Sequence, residues 1–165
     1  MKNKILIIII LLLASANCFA QDSIVAEHYK TSEFDCAIFP AKAFNYVTGG
    51  KHFTPTHKDI DKAEHSLNTK LKKLDSVLSN QGGHDPIIYE HLKKYVRQYF
   101  GYIDSSGHRI LFINCIWRDN DFGKMFERQF LRDEIMVSDG GSYFWNVKYD
   151  MDADKLFDLE INGLG

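Results

Sequence analysis

The sequence has few of the residues and patterns that mark disordered or nucleic-acid-binding proteins. Only three prolines and three cysteines occur among 165 residues, and no low-complexity tract follows the first twenty positions. With 20 basic and 22 acidic side chains the chain has no excess of positive charge, so its composition does not favour binding to nucleic acid. Aromatic residues make up 13% of the chain, which predicts a folded domain.

Motifs for the common catalytic chemistries are also missing. The seven histidines form no H-E-x-x-H pattern, and the cysteines form no C-x-x-C pattern, so neither predicts a zinc site. No G-x-S-x-G elbow presents a nucleophilic serine. Gly140-Gly141 lies between predicted strands, whereas a phosphate-binding loop would precede a helix. We therefore predict no cofactor and favour a non-catalytic protein.

The first twenty residues have the composition of a secretory signal peptide. Lys2 and Lys4 precede an apolar run that ends at Leu13, and Ala20 supplies a small residue at the predicted cleavage site. The apolar run is too short for a permanent transmembrane anchor. We therefore predict an exported chain, periplasmic or secreted, of residues 21–165. Loss of the two lysines would change its net charge from −2 to −4.

The three cysteines leave two questions open. Cleavage ahead of Cys18 would give a lipid-modified N-terminus, but Asn17 stands where a small residue is expected, so ordinary cleavage is favoured. In an oxidising compartment Cys36 and Cys115 can form a disulfide. Closing a loop of that length would stabilise the fold by about 4 kcal/mol in the chain-entropy model. Two buried, unpaired thiols are the alternative.

The clearest predicted element is an amphipathic helix over residues 56–78. Thr56 and Asp59 form a capping-box pattern at its start, and the Gly82-Gly83 pair follows its end. Its apolar residues recur at spacings of three and four: Ile60, Ala63, Leu67, Leu71, Leu74 and Leu78. One such stripe predicts that a single face packs on another layer. A short helix is also predicted within residues 86–93.

After residue 94 the hydrophobic period changes from 3.6 to 2, which predicts strands. Two hairpins and one further strand are predicted: Tyr95–Ile103 with His108–Trp117, residues 134–139 with 142–150 around Gly140-Gly141, and residues 155–162. The first turn places Phe100 opposite Phe112. In the last strand, Phe157, Leu159 and Ile161 are predicted to face inward.

These elements predict an α+β domain over residues 54–165, preceded by a leader and arm over residues 21–53. One long amphipathic helix would pack on a four- to five-stranded antiparallel meander. This element order resembles the cystatin-like and nuclear-transport-factor-2-like folds. The strings Arg97-Gln98-Tyr99-Phe100-Gly101-Tyr102, Ile113-Asn114 and Asp139-Gly140-Gly141 are also similar to those of small uncharacterised exported bacterial proteins. The resemblance implies export and this fold class, and implies no activity.

Three aspartates suggest a weak calcium site. Asp150, Asp152 and Asp154 alternate as the first ligands of an EF-hand loop do. However, Lys155 stands where that loop needs glycine, and Ile161 stands where it needs glutamate. A polar turn between two strands is the favoured interpretation.

A binding surface is the main functional prediction. The predicted strands carry residue types that are enriched in interfaces, namely Arg97, Tyr99, Trp117, Tyr143 and Trp145; core packing is the alternative for each. We predict a non-catalytic module of the cell envelope that recognises an envelope protein or a small ligand through one sheet face. An inhibitor or an immunity protein would be one form of such a module. Two alternatives stay open: a small enzyme with a pocket between helix and sheet, and an assembly component such as a homodimer joined by sheet faces.

Overall fold

The structure is a computed structural model that describes residues 25–43, 50–118 and 126–164. The predicted signal peptide, its cleavage site and Cys18 lie outside the described residues. The elements are β1 (Glu27–Lys30), β2 (Asp35–Ile38), β3 (Lys51–Phe53), α1 (His57–Leu74), β4 (Tyr95–Ile103), β5 (Arg109–Trp117), β6 (Phe144–Asp150) and β7 (Lys155–Ile161). Short 3-10 turns occupy Ile88–Glu90, Leu92–Lys94 and Gly141–Tyr143.

The strands form one mixed sheet in the order β1-β2-β4-β5-β6-β7. Strand β4 is central: β5 pairs along one edge, while β2 and β3 share the other. Strand β2 runs parallel to β4, and such a pair needs a long crossover, which here contains α1. The α+β class is confirmed. Strands β4 to β7 form the predicted antiparallel meander. The prediction that this meander is the whole sheet is wrong, because β1, β2 and β3 extend it and β2 is parallel to β4. The segment predicted as an arm supplies three strands.

Helix α1 confirms the predicted start and, from Ile60 to Leu74, the predicted apolar stripe, whereas Leu78 lies beyond the helix and is exposed. The Thr56 Oγ1 atom accepts from the Asp59 N–H at 3.3 Å, and the Thr56 N–H donates to Asp59 Oδ2 at 2.9 Å. The helix ends at Leu74, earlier than predicted. Asp75 follows it and is buried, and Leu78 has a φ of +53°, so the chain has already left the helical conformation there.

The register of the first hairpin is confirmed, with Phe100 paired to Phe112. Both faces of the sheet are covered. Helix α1 covers one face through a core that includes Ile60, Leu67, Leu71, Tyr95, Tyr99, Leu111, Ile113, Trp145 and Val147. The segment 126–137 covers the other face, where Val96, Phe100, Phe112, Ile116, Phe130, Ile135 and Phe144 pack together.

The predicted strand at residues 134–139 is wrong. Polar side chains of β4 and β5 bond its Ile135, whose N–H donates to Gln98 Oε1 at 2.9 Å, and the two residues Phe130 and Asp133 that precede the segment. The Gln98 Nε2 atom donates to the Phe130 and Asp133 carbonyls at 3.0 and 2.8 Å, and Asn114 Nδ2 donates to the Ile135 carbonyl at 2.8 Å. These bonds satisfy backbone groups that a strand ladder would otherwise pair.

The last strand departs from its predicted alternation at a bulge. Asp158 has a φ of +47°, and the β6–β7 register shifts beside it, as expected where one extra residue enters a strand. Leu156 therefore faces α1 before the bulge, and Leu159 faces it after the bulge. Phe157 was predicted to face inward together with Leu159 and Ile161. Instead it pairs with Lys148 on the opposite face.

Candidate functional site

The residues predicted to form one binding surface are divided between the core and the surface. Arg97, Tyr99 and Trp145 are 1%, 0% and 1% exposed, because their strand positions face α1. The interpretation of these three as surface residues is therefore wrong. Trp117 and Tyr143 are half-buried and stay partly exposed at one end of the sheet.

Arg97 and Tyr99 belong to a closed polar network beneath the helix. Arg97 Nε lies 3.1 Å from Glu64 Oε1, and the Tyr99 hydroxyl donates to that same oxygen at 2.7 Å. The guanidinium also donates to the Leu92 and Tyr95 carbonyls at 2.8 and 3.2 Å. Partners within the core thus occupy the two Nη atoms of Arg97 and the Tyr99 hydroxyl, while Nε contacts Glu64 as an ion pair without forming a hydrogen bond. The network has a structural role.

Burial and ion pairing shift the pKa values of Glu64 and Arg97 in opposite directions. Burial raises the pKa of Glu64, while the cation of Arg97 and the hydrogen bond from Tyr99 oppose that rise. Burial is the largest single influence on the pKa of Arg97 and would lower it, but Glu64 and, to a smaller extent, Tyr99 and the two cysteines together raise it. The guanidinium therefore stays charged.

The two thiols flank Arg97 and are free. Cys36 pairs with Arg97 across β2 and β4, and Arg97 pairs with Cys115 across β4 and β5. Two strand spacings place the thiol-bearing residues about 10 Å apart, whereas a disulfide needs Cα atoms within about 7 Å. Of the two alternatives, the disulfide is therefore wrong, and the two buried, unpaired thiols are confirmed. Burial raises the pKa of both cysteines well above the ordinary value, so neither is a nucleophile.

The partly exposed aromatic residues meet at the end of the sheet where β4 begins and β5 ends. The Trp117 ring makes edge-on contacts with His91, Tyr95 and Tyr143, with ring centroids 5.9, 5.1 and 5.5 Å apart. The Tyr95 hydroxyl donates to the Ser142 carbonyl at 2.7 Å. These contacts fix the orientation of Trp117.

A groove of about 200 Å³ opens at the same end of the sheet. Its basic side chains are Lys30, Lys93, Lys94 and Arg118, and its acidic ones are Glu33 and Asp35. Asp35 Oδ2 lies 3.0 Å from Lys30 Nζ and 2.6 Å from Arg118 Nη1. We call Trp117, Tyr143, Arg118, Lys93 and Lys94 the sheet-end surface.

The aspartates proposed as calcium ligands stabilise the turn between β6 and β7. Asp150 Oδ1 accepts from the backbone N–H groups of Asp152 and Ala153 at 2.9 and 2.8 Å. Asp150 Oδ2 lies 2.7 Å from His108 Nδ1, and that hydrogen bond raises the pKa of His108. Asp152 Oδ2 accepts from the Arg109 N–H at 2.8 Å.

Asp154, the third of them, faces the helix. Its Oδ1 atom accepts from the Ser66 and Tyr149 hydroxyls at 2.9 and 2.8 Å, and it lies 2.7 Å from Lys70 Nζ. Each aspartate therefore has local partners, which supports the polar turn. Within the described ranges, no three His, Cys, Asp or Glu side chains are grouped to hold a metal ion.

Glu64, the partner of Arg97, is not among the residues predicted from the sequence to form a site. Glu64 comes four residues after Ile60 and three before Leu67, which places a carboxylate on the apolar stripe of the helix. A charged residue at such a position predicts a buried partner of opposite sign, and this signal was available in the sequence. The basic groove beside Trp117 left no comparable signal, since its residues come from three separate segments.

No family model matches the chain, and no curated protein or solved structure matches it either. The cystatin-like and nuclear-transport-factor-2-like resemblances therefore stay predictions. In the part of the chain that the structure describes, no helix is both long enough and apolar enough to cross a membrane.

Proposed function

We propose that the chain is an exported, non-catalytic binding module of the cell envelope that recognises a partner through the sheet-end surface. One observation carries this proposal: Trp117 and Tyr143 contact each other, stay partly exposed, and lie at the same end of the sheet as a groove with four basic side chains. Tryptophan, tyrosine and arginine supply most of the binding energy in many interfaces.

The arrangement is suited to binding because its rings are already ordered. Trp117 has three ring neighbours, so binding would immobilise few additional rotamers. Arg118 is held by Asp35 at 2.6 Å and follows Trp117 directly in the chain. Consecutive residues of a strand point to opposite faces, so a partner that covers this end of the sheet can contact the rings on one side and the guanidinium on the other.

Two rival functions have less support. An enzyme with its pocket between helix and sheet would need an enclosed cavity in the interior of that interface, but Leu67, Leu71 and Tyr99 fill the interior and are at most 1% exposed. The grooves along α1 and the β6–β7 hairpin lie at the surface. A homodimer joined by sheet faces would need an open face. In the described residues, α1 covers one face and segment 126–137 covers the other.

Site-specific photocrosslinking tests the proposal. The photoreactive amino acid p-benzoylphenylalanine would replace Tyr143 or Lys94 in the exported protein, and Ser106 in the exposed turn at the other end of β4 would be the matched control. Discrete adducts of the same mass at the first two positions, and none at Ser106, would support the sheet-end surface. Adducts of equal yield at Ser106, or none at any position, would contradict it.

The partner identified in such an adduct allows a quantitative second step. With purified components, Arg118→Ser and Tyr143→Ala should each weaken binding by about tenfold or more, as expected for residues at the centre of an interface. Lys51→Ser, on exposed β3, should change the Kd by less than about twofold. Equal effects of all three variants would contradict the proposed surface.

A further inference from the structure

The solvent side of α1 has an excess of positive charge that its own acidic residues do not neutralise. The helix carries five lysines: Lys58, Lys62, Lys70, Lys72 and Lys73. Its three acidic residues already have partners: Asp59 is in the capping box, Asp61 accepts from a tyrosine of β1 at 3.0 Å, and Glu64 is buried. The whole chain has a net charge of −2, so this positive side is a local feature.

Four of these lysines, all except Lys72, border depressions between α1 and the β6–β7 hairpin. Two grooves of about 490 and 370 Å³ adjoin there and share Asp154. Lys58 and Lys62 line the first groove, and Lys73 and Lys155 line the second. We call the depression that these four residues line the lysine groove. From Lys58 to Lys73 the helix rises by about 22 Å, so the two grooves together extend over about that length.

The electrostatic balance of this groove is positive. Five lysines and two aspartates border it, a net charge of +3. In the described parts of the chain, Lys58, Lys62, Lys73 and Lys155 form no ion pair, whereas Lys70 is held by Asp154 at 2.7 Å. Four ammonium groups along one depression, without carboxylate partners, attract an anionic ligand.

The shape and floor of the groove limit the class of that ligand. Its length matches about six or seven residues of extended polypeptide. Its floor includes apolar side chains, with Leu74 and Met151 half-buried, and these can contact apolar side chains of a peptide. Tyr149, the tyrosine in the groove, is 1% exposed and therefore offers no ring face on which a nucleic-acid base could stack.

We infer that the lysine groove binds an extended acidic segment of a partner protein, in which apolar side chains alternate with carboxylates. The carboxylates would contact the lysines along the rim while the apolar side chains contact Leu74 and Met151. This site goes beyond the proposed function, because it shares no residue with the sheet-end surface.

Fluorescence anisotropy with a defined peptide tests the inference. The probe is a fluorescein-labelled octapeptide that alternates glutamate and leucine, and its controls replace either all glutamates by glutamine or all leucines by glycine. We expect binding of the first peptide that weakens between 50 and 200 mM NaCl, and at least tenfold weaker binding of both controls. Equal binding of the glutamine peptide would overturn the inference, because apolar contact alone would then explain it.

Charge-reversal variants locate the site. Lys62→Glu and Lys73→Glu should each raise the Kd of the glutamate–leucine peptide at least tenfold, and the matched control Lys51→Glu should change it less than twofold. Arg118→Ser should also leave it unchanged, which separates this inference from the proposed function. No effect of Lys62→Glu and Lys73→Glu would overturn the inference. Tighter binding of oligothymidylate or heparin than of the peptide would overturn the choice of a polypeptide ligand.

Discussion

The buried pair of Arg97 and Glu64 makes a specific prediction about stability. Their side chains are 1% and 6% exposed, so removing one charge leaves the other without a partner in the core. Breaking a buried pair in this way costs about 3–5 kcal/mol of the free energy of unfolding. Arg97→Met also deprives two backbone carbonyls, those of Leu92 and Tyr95, of their donor, which adds about 1 kcal/mol for each bond.

The predicted loss is large for a single small domain. Total stabilities are typically about 5–15 kcal/mol, so Arg97→Met should be close to unfolding in water. Tyr99→Phe is a milder change, since it removes the hydroxyl that donates to Glu64 at 2.7 Å. A hydrogen bond to a charged group contributes about 1.5–3 kcal/mol, so Tyr99→Phe should lose that amount and stay folded.

Urea unfolding of the single and double variants provides the measurement, with tryptophan fluorescence and circular dichroism as the two probes. If Glu64 and Arg97 act as a pair, the double variant Glu64→Leu/Arg97→Met should be more stable than Arg97→Met alone by at least about 2 kcal/mol, because no unpaired charge then remains. Free-energy losses that add to within about 0.5 kcal/mol would refute the coupling. So would a loss below about 1 kcal/mol for Arg97→Met.

The packing of the two layers gives further predictions. Leu71 is fully buried beneath α1, so Leu71→Ala should cost about 2–5 kcal/mol in a urea melt, whereas Lys73→Ala on the exposed side should cost less than about 0.5 kcal/mol. A Cβ atom at Gly101 would lie 2.6 Å from the Phe53 carbonyl oxygen and 2.8 Å from its ring, so Gly101→Ala should displace β3 and cost about 1–3 kcal/mol. Its control, Gly163→Ala, meets no atom within 4 Å; an equal loss in both glycine variants, measured by urea melts, would contradict the close approach of β3.

The elements that the sequence predicts well are those fixed by local signals. The start of α1 depends on Thr56 and Asp59, three residues apart, and the register of the first hairpin depends on a turn between its strands. Strand β2 has no such signal. Cys36, Ala37 and Ile38 are all buried, so both of its faces are covered and it shows no alternation. Its parallel partner β4 begins about sixty residues later in the chain.

The segment 134–139 was mispredicted because its backbone partners are side chains. A Gly-Gly pair between apolar stretches is typical of a tight hairpin, but Gly140 and Gly141, with φ of +89° and +54°, lead into a 3-10 turn. Gln98 and Asn114 hold Ile135 against the sheet instead, and Gln98 also bonds Phe130 and Asp133 just before the segment. Hydrophobic periodicity contains no information about bonds from side chains to a distant backbone.

The binding surface was mispredicted for a related reason. Alternation places Arg97 and Tyr99 on one side of the sheet, and the structure agrees, but alternation does not show whether that side is covered. The deciding residue is Glu64, which lies in a different element and supplies the counter-charge inside the core. Because both sheet faces are packed in the described residues, the proposed recognition would use the regions that the layers leave outside. Those regions are the end of the sheet around Trp117 and the outer side of α1, and residues brought together from separate segments form both surfaces.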